Sequence, residues 1–542
     1  VLKGSVGQLQ FTTVLFGTAA SIGTIILIFS LLTGRMVFKM KNLVAGIALG
    51  IPKENIYTEE NARHSTENLY YSYTRAKELG FTKIALASDP FQTNNLRTFN
   101  VSGDGGHWDY GQKSIDLIMD VMSNDMIDSN NGWWYDNFYK YTSRVQDTRE
   151  TAVIWNYYYT IIKGANQTIS LIGGIDPAKL TDELKHVLAR SKVVRGFSYY
   201  QLIQIYQKGQ PALTDAGVPL VDPTADLING PGFGRLTVGD IYTQIEKDLT
   251  EGYDELVGYS RADKTSINQH VAAGFLARFM LLKGDNINAI KYAKIAQGGG
   301  TLSGNQILDG FQYIDNPEWL FGADINADTT SYYASFFAQV QSFSPAFFNG
   351  AGYTPGYTGQ LGHHRTLDVR LYNEISATDI RKNWFGPDNG GIFQPLPGQI
   401  YNYKFYDNTF FEADYVFMRV AEMYLIEAEA AANENQDGVA ADALYKLVSN
   451  RDASYVKSTK TGADLKDEIR THRRIELWGE GFGLLDMKRW GVGLVRDYPG
   501  TTHPNIPSAF YNIPAGDFRF TYQIPLDEIN LNDAITDADQ NP

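Results

Sequence analysis

A carboxylate lies on the apolar stripe of a helix near the end of this 542-residue chain. Leu465, Ile469, His472 and Glu476 follow one another at spacings of four, three and four, which places them on one helical face. A buried charge without a partner is unfavourable by several kcal/mol, and removing the partner of a paired one costs about 3–5 kcal/mol. A fold of this chain must therefore bring cations to Glu476. The candidates are Arg419, Arg473 and Arg489. The expectation is a structural ion network that joins the last helices to a long helix over residues 413–434.

The same region has a catalytic reading. Glu476 and Glu480 are four residues apart and Asp486 is close by. Glycoside hydrolysis needs two carboxylates on opposite sides of a substrate. Carboxylates on adjacent turns of one helix flank nothing, so no catalytic residue is expected. His363 and His364 are adjacent and point apart in a strand. Gly479, Gly481 and Gly483 follow a helix rather than a strand, so they read as a helix exit and not as a nucleotide loop. No cofactor and no metal site is expected. The chain has no cysteine, which excludes disulfides, thiolate metal sites and cysteine nucleophiles. Its net charge is −14, and a nucleic-acid partner would need a basic surface instead.

From about residue 100 onward the pattern is mainly helical. Helices are expected from Asp109 to Met122, Arg149 to Lys163, Thr181 to Tyr206, Leu236 to Leu256, Ser266 to Lys283 and Asn286 to Gln297. Thr181 and Thr237 stand at N-cap positions. Ala272, Ala273 and Ala277 precede Ala289, Ala293 and Ala296 across the Gly284-Asp285 turn. Small residues at a helix crossing are the pattern of tetratricopeptide-like packing, although the strict repeat motif is missing.

Several phrases in order along the chain resemble the SusD/RagB family. They are Val193 to Leu202, Gly217 to Val221, Pro317 to Phe321, Met418 to Ala430, His472 to Gly491 and Ile524 to Asn530. That family consists of surface lipoproteins that capture nutrients for a TonB-dependent outer-membrane transporter. The resemblance implies a mainly α fold over residues 99–542, with a loop-rich lobe on a tetratricopeptide-like scaffold of helical pairs. It implies a non-enzymatic subunit on the cell outer membrane, facing outward and partnered by a SusC-like β-barrel. The ligand it implies is an oligosaccharide, with a peptide as the alternative. The family's lipid anchor needs a cysteine, and these residues contain none.

The first hundred residues differ in kind. Phe11 to Leu32 is a run of 22 residues without a charge, long enough to span a bilayer. Residues 1–39 are therefore expected to hold a membrane-spanning helix. Residues 40–50 read as a truncated signal-like start, and residues 51–98 as an α/β fragment. Within that fragment, strands are expected near 51–60 and 83–88, with a helix opened by Ser65. The fragment resembles the YdcF/SanA/ElyC-like envelope proteins through Gly50 to Pro52, Glu60 to Asn68, Ser88 and Arg97. An inner-membrane envelope enzyme of that kind is the competing reading of function.

Two loops qualify as a glycan platform, which needs exposed aromatic planes near polar groups. In the first, the turn residues Asn130, Asn131 and Gly132 present Trp133, Trp134 and Tyr135. The second runs from Tyr332 to Tyr357 and includes Phe343, Tyr353 and Tyr357. Its length is too great for a simple connector. The expected ligand-contacting set is Trp133, Trp134, Tyr135, Phe343, Tyr353 and Tyr357. Packing between helices, or contact with the transporter, also fits these rings.

Overall fold

The computed structural model describes residues 106–130, 134–224, 230–343 and 356–542, and four short strands nearer the N-terminus. By internal packing the chain forms two compact units. One holds residues 1–91 and 166–187, the other residues 92–165 and 188–542.

In the first unit Leu15–Phe16 pairs antiparallel with Ala85–Leu86, and Leu27–Phe29 pairs parallel with Ile56–Thr58. The strands expected near 51–60 and 83–88 contain two of these pieces. Leu15–Phe16 and Leu27–Phe29 fall inside the charge-free run and are extended, each with a strand partner, where a helix was expected. The rest of that run, the signal-like start and the helix opened by Ser65 lie outside the described residues. No helix among the described residues is long and apolar enough to cross a membrane.

Ten helices of eight or more residues lie among the described residues. They are α1 Gln112–Val121, α2 Arg149–Gly173, α3 Asp182–Ile205, α4 Val238–Glu255, α5 Gln269–Lys283, α6 Asn286–Gln297, α7 Val420–Asn433, α8 Asp437–Val448, α9 Gly462–Glu476 and α10 Gly483–Trp490. Their ends follow from local chemistry. The Thr237 side chain accepts from the Asp240 amide at 3.1 Å, and Asp240 accepts from the Thr237 amide at 3.1 Å, closing a capping box on α4. α5 stops at Gly284, which is left-handed at φ 81°, and Asp285 then caps α6 through the Asn288 amide.

Helix pairs stack as the alanines predict. α4 packs on α5, α5 on α6, α6 on α7, and α7 on α8 and α9. Ala272, Ala273, Ala277, Ala289, Ala293 and Ala296 are all fully buried at these crossings. Ala428, Ala431, Ala432, Ala440 and Ala443 do the same between α7 and α8. Short side chains let the backbones approach, so dispersion contacts replace what larger residues would bury. The architecture is a tetratricopeptide-like helical scaffold.

The long helix expected over 413–434 is corrected. Residues Tyr415–Arg419 form a strand, antiparallel to Trp319–Ala323, and α7 starts only at Val420. Tyr415, Val416 and Phe417 favour a pleated, buried surface, and the partner strand supplies the hydrogen bonds. Gly274 of α5 faces this strand. A Cβ there would sit 2.3 Å from the Met418 sulfur, so any larger residue would force the Met418 side chain to move.

A four-stranded antiparallel sheet orders the loop-rich lobe. Its strands run Phe385–Gly386, Ile400–Asn402, Arg365–Leu367 and Met126–Asp128. The buried pair Arg365–Asp128, at 2.6 Å, locks the last two. The sheet thereby pairs a strand that precedes Trp134 in sequence with one that follows Tyr357.

Candidate ligand-binding site

Four rings gather from three stretches of the chain: His107, Trp134, and Tyr333 with Tyr357. His107 stacks on Trp134 with centroids 3.6 Å apart and planes 20° apart. Tyr333 and Tyr357 lie 5.2 and 5.8 Å from His107, and Tyr357 lies 5.6 Å from Trp134. Trp134, His107 and Tyr357 are half-buried, and Tyr333 is 48% exposed. Such offset stacks hold aromatic planes without a covalent frame.

The support beneath them is polar and specific. Gln339 is fully buried and donates from Nε2 to the Tyr333 carbonyl at 2.7 Å, with His107 Nδ1 at 3.3 Å from the same nitrogen. Burial pushes the His107 imidazole down to about 4, against a hydrogen bond to the Tyr333 backbone carbonyl that raises it. The ring is therefore neutral at physiological pH, and its Nδ1 accepts from the amide. Gly356 is left-handed at φ 83° and starts the short helix Tyr357–Gln360. A Cβ there would fall 2.6 Å from the Phe343 carbonyl, so glycine sets the position of Tyr357.

The other expected contacts fall elsewhere. Tyr135 is fully buried, its hydroxyl 2.7 Å from that of Tyr110 and its ring under Arg365 at 5.2 Å. This corrects its assignment to the exposed platform: it follows Trp134 in sequence, but it caps the core beneath the sheet. Phe343 is half-buried between Tyr403 and Tyr406, at 5.8 and 6.0 Å, apart from the four-ring cluster. Trp133 and Tyr353 lie outside the described residues. Sequence alone does not single out His107 or Tyr333. Tyr333 belongs to the aromatic loop, but His107 carries no signal in sequence.

The ion network around Glu476 is present and larger than expected. Arg419 donates to Glu476 Oε1 at 2.9 Å, Arg381 to Oε2 at 3.1 Å, and Arg451 to both oxygens at 3.0 and 3.2 Å. Glu318 bridges Arg419 and Arg451, at 3.1 and 2.8 Å. Glu480 takes Arg419 and Lys404, each at 2.7 Å. Glu318, Glu476, Arg381, Arg419, Arg451 and Lys404 are fully buried. With Asp379 on Arg381, four carboxylates meet four cations, so the cluster is neutral as a whole. Arg473 and Arg489 are corrected as partners of Glu476. They share Asp486 at 2.6 and 2.8 Å, and Arg489 continues to Glu429 of α7. Arg473 lies in α9 and turns to Asp486 of α10, while Arg489 lies in α10, beyond a glycine-rich turn, and reaches Glu429 of α7 rather than Glu476.

Burial pushes the Glu480 carboxyl up, but Arg419 and Lys404 outweigh it and hold it at about 2. Burial likewise opposes ionisation of Glu476, and Arg451, Arg419 and Arg381 overcome it, so its carboxyl stays well below the usual range. Both groups remain ionised and occupied by cations, so neither can donate a proton as a glycosidic acid must.

Residues 107–281 match the family model SusD-like_3, described as starch-binding associating with outer membrane. Residues 332–542 match the SusD family model SusD_RagB. The chain belongs to the SusD/RagB family. A SusD-like carbohydrate binding protein from Bacteroides vulgatus has the same fold, at 22% identity and a TM-score of 0.69, with 83% of this chain and 95% of that one covered. A SusD superfamily protein from Bacteroides thetaiotaomicron is similar at 21% identity and TM-score 0.68, covering 83% and 97%. The surface glycan-binding protein A from Bacteroides fluxus follows at 16% identity and TM-score 0.60, again covering 83% and 97%. No curated protein matches this chain.

Proposed function

We propose that this protein is a non-enzymatic, surface-exposed subunit that captures oligosaccharide and delivers it to a SusC-like TonB-dependent transporter in the outer membrane. The observation that carries the reading is the neutral, partly exposed stack of Trp134, His107, Tyr333 and Tyr357. A pyranose ring has an apolar face that lies on aromatic planes, and its hydroxyls take hydrogen bonds at the edge. An uncharged platform suits an uncharged sugar better than a charged ligand. Trp133 and Tyr353 stand in the same two loops and join the proposed set. The helical scaffold is a frame, and energy for import belongs to the transporter. A glycan array probed with the wild type and with Trp134→Ala/Tyr357→Ala tests the capture step. Binding by the first and not the second supports it, and equal signals reject it. Copurification of a large β-barrel tests the delivery step.

A further inference from the structure

Tyr332 and Phe411 both have left-handed backbone, at φ 51° and φ 64°. Bulky aromatic residues avoid this region, and where it occurs the surroundings must enforce it. Here the enforcing group is Thr330. Its buried hydroxyl donates to the Phe411 carbonyl at 2.5 Å and accepts from the Tyr332 amide at 3.2 Å. The two rings meet edge-on at 6.0 Å. The outcome is visible at the surface: Phe411 turns inward, while Phe410 is 55% and Tyr332 48% exposed. Tyr313, 42% exposed, donates to Asn408 at 3.3 Å, two residues before Phe410. Strained backbone and an outward phenyl ring are each unfavourable for the fold alone. Their coincidence points to a ligand.

We propose that Tyr332, Phe410 and Tyr313 form a second glycan subsite, which takes the far end of a saccharide seated on the Trp134 cluster. The proposal rests on the capture reading above. Shared exposure supports it, because Tyr333 of the first cluster and the preceding Tyr332 are neighbouring residues, each 48% exposed. Area supports it too. Three rings, each about half exposed, offer roughly 300 Å² in total. A stable protein interface needs about 800 Å² per partner, so a sugar chain fits this ridge better than a second protein does. Asn408 and Glu412, both exposed and two residues to either side of Phe410, offer hydrogen-bonding groups for hydroxyls.

Calorimetry with oligosaccharide ladders tests this, using α-1,4-glucan, β-1,4-xylan, β-1,4-mannan and β-2,6-fructan series. In a ladder that binds, the wild type is expected to gain about tenfold or more in affinity from the shortest to the longest member. Phe410→Ala/Tyr332→Ala is expected to bind short members as the wild type does and to lose that gain. Thr330→Val keeps the rings but removes their clamp, and an intermediate gain is expected. Unchanged thermal unfolding of the double variant confirms its fold. A gain that survives in the double variant, or no gain in the wild type, overturns the subsite and leaves the capture reading standing. No binding of any ladder by the wild type overturns the capture reading itself. Loss of transporter copurification with ladder binding intact would reassign the ridge to a partner.

Discussion

Arg419 donates from Nη1 to Glu476 at 2.9 Å, and both side chains are sealed from solvent. The contact closes a loop of 57 residues. It pins the start of α7 to the end of α9, where the helical scaffold meets the strand pair Tyr415–Arg419 and Trp319–Ala323. Charges in such a place contribute less by attraction than by the cost of separating them.

Glu476→Gln tests that logic. The substitution keeps the shape and removes one charge, leaving three arginines around a neutral amide. A loss of about 3–5 kcal/mol in unfolding free energy is expected by denaturant titration. An unchanged midpoint would contradict the network's structural role.

The pH dependence of the neighbouring carboxylate follows with a definite sign. Glu480 is held at about 2 in the folded state, below the roughly 4.3 of an unperturbed glutamate. Its contribution is therefore complete above pH ~4.3 and fades as pH falls through about 2. Comparing wild type with Glu480→Gln isolates this group from the buried histidines and aspartates. The stability difference should close as pH falls from about 4.5 through about 2, where Glu480 takes up its proton. A difference that closes near neutrality would contradict the assigned shift.

Trp134 and Tyr135 are adjacent but serve different ends. Tyr135→Phe removes one of two paired hydroxyls in the core and should cost about 1–3 kcal/mol of stability while leaving glycan affinity unchanged. Trp134→Ala should weaken glycan binding about tenfold or more, the scale on which removing one aromatic plane weakens a binding site. Exchanged phenotypes would refute the assignment of both residues.

His107 offers a third probe. Its imidazole is pushed down to about 4, so it stays neutral across the range where a free histidine titrates. Glycan affinity should be flat from pH 8 to 5 and fall only as His107 protonates at about 4. An affinity change centred near 6.5 would show that the ring is solvated and not stacked on Trp134.

The frame is more legible in sequence than the platform. The alanines of α5 and α6 announce a close crossing because residue size along a helix is a local property. Glu476 announces a partner because its stripe is local too. Arg381 and Arg451 escape a sequence reading because contacts across 95 and 25 residues depend on how elements dock, and helical periodicity does not encode that. The strand at Tyr415–Arg419 reads as helix because the helix-favouring residues of α7 follow without a break. Tyr135 looks exposed because turn residues precede it, yet a side chain at a turn can point to either side. His107 joins the rings only through tertiary stacking.

The central claim is that an inert helical frame holds out aromatic loops that bind glycan without altering it. Calorimetry of the intact protein with an oligosaccharide it binds, followed by chromatography of the recovered sugar, tests this most directly. The account predicts saturable binding that Trp134→Ala/Tyr357→Ala abolishes, with the sugar recovered at its original length. Shortened products, or binding undiminished in the double variant, would contradict it.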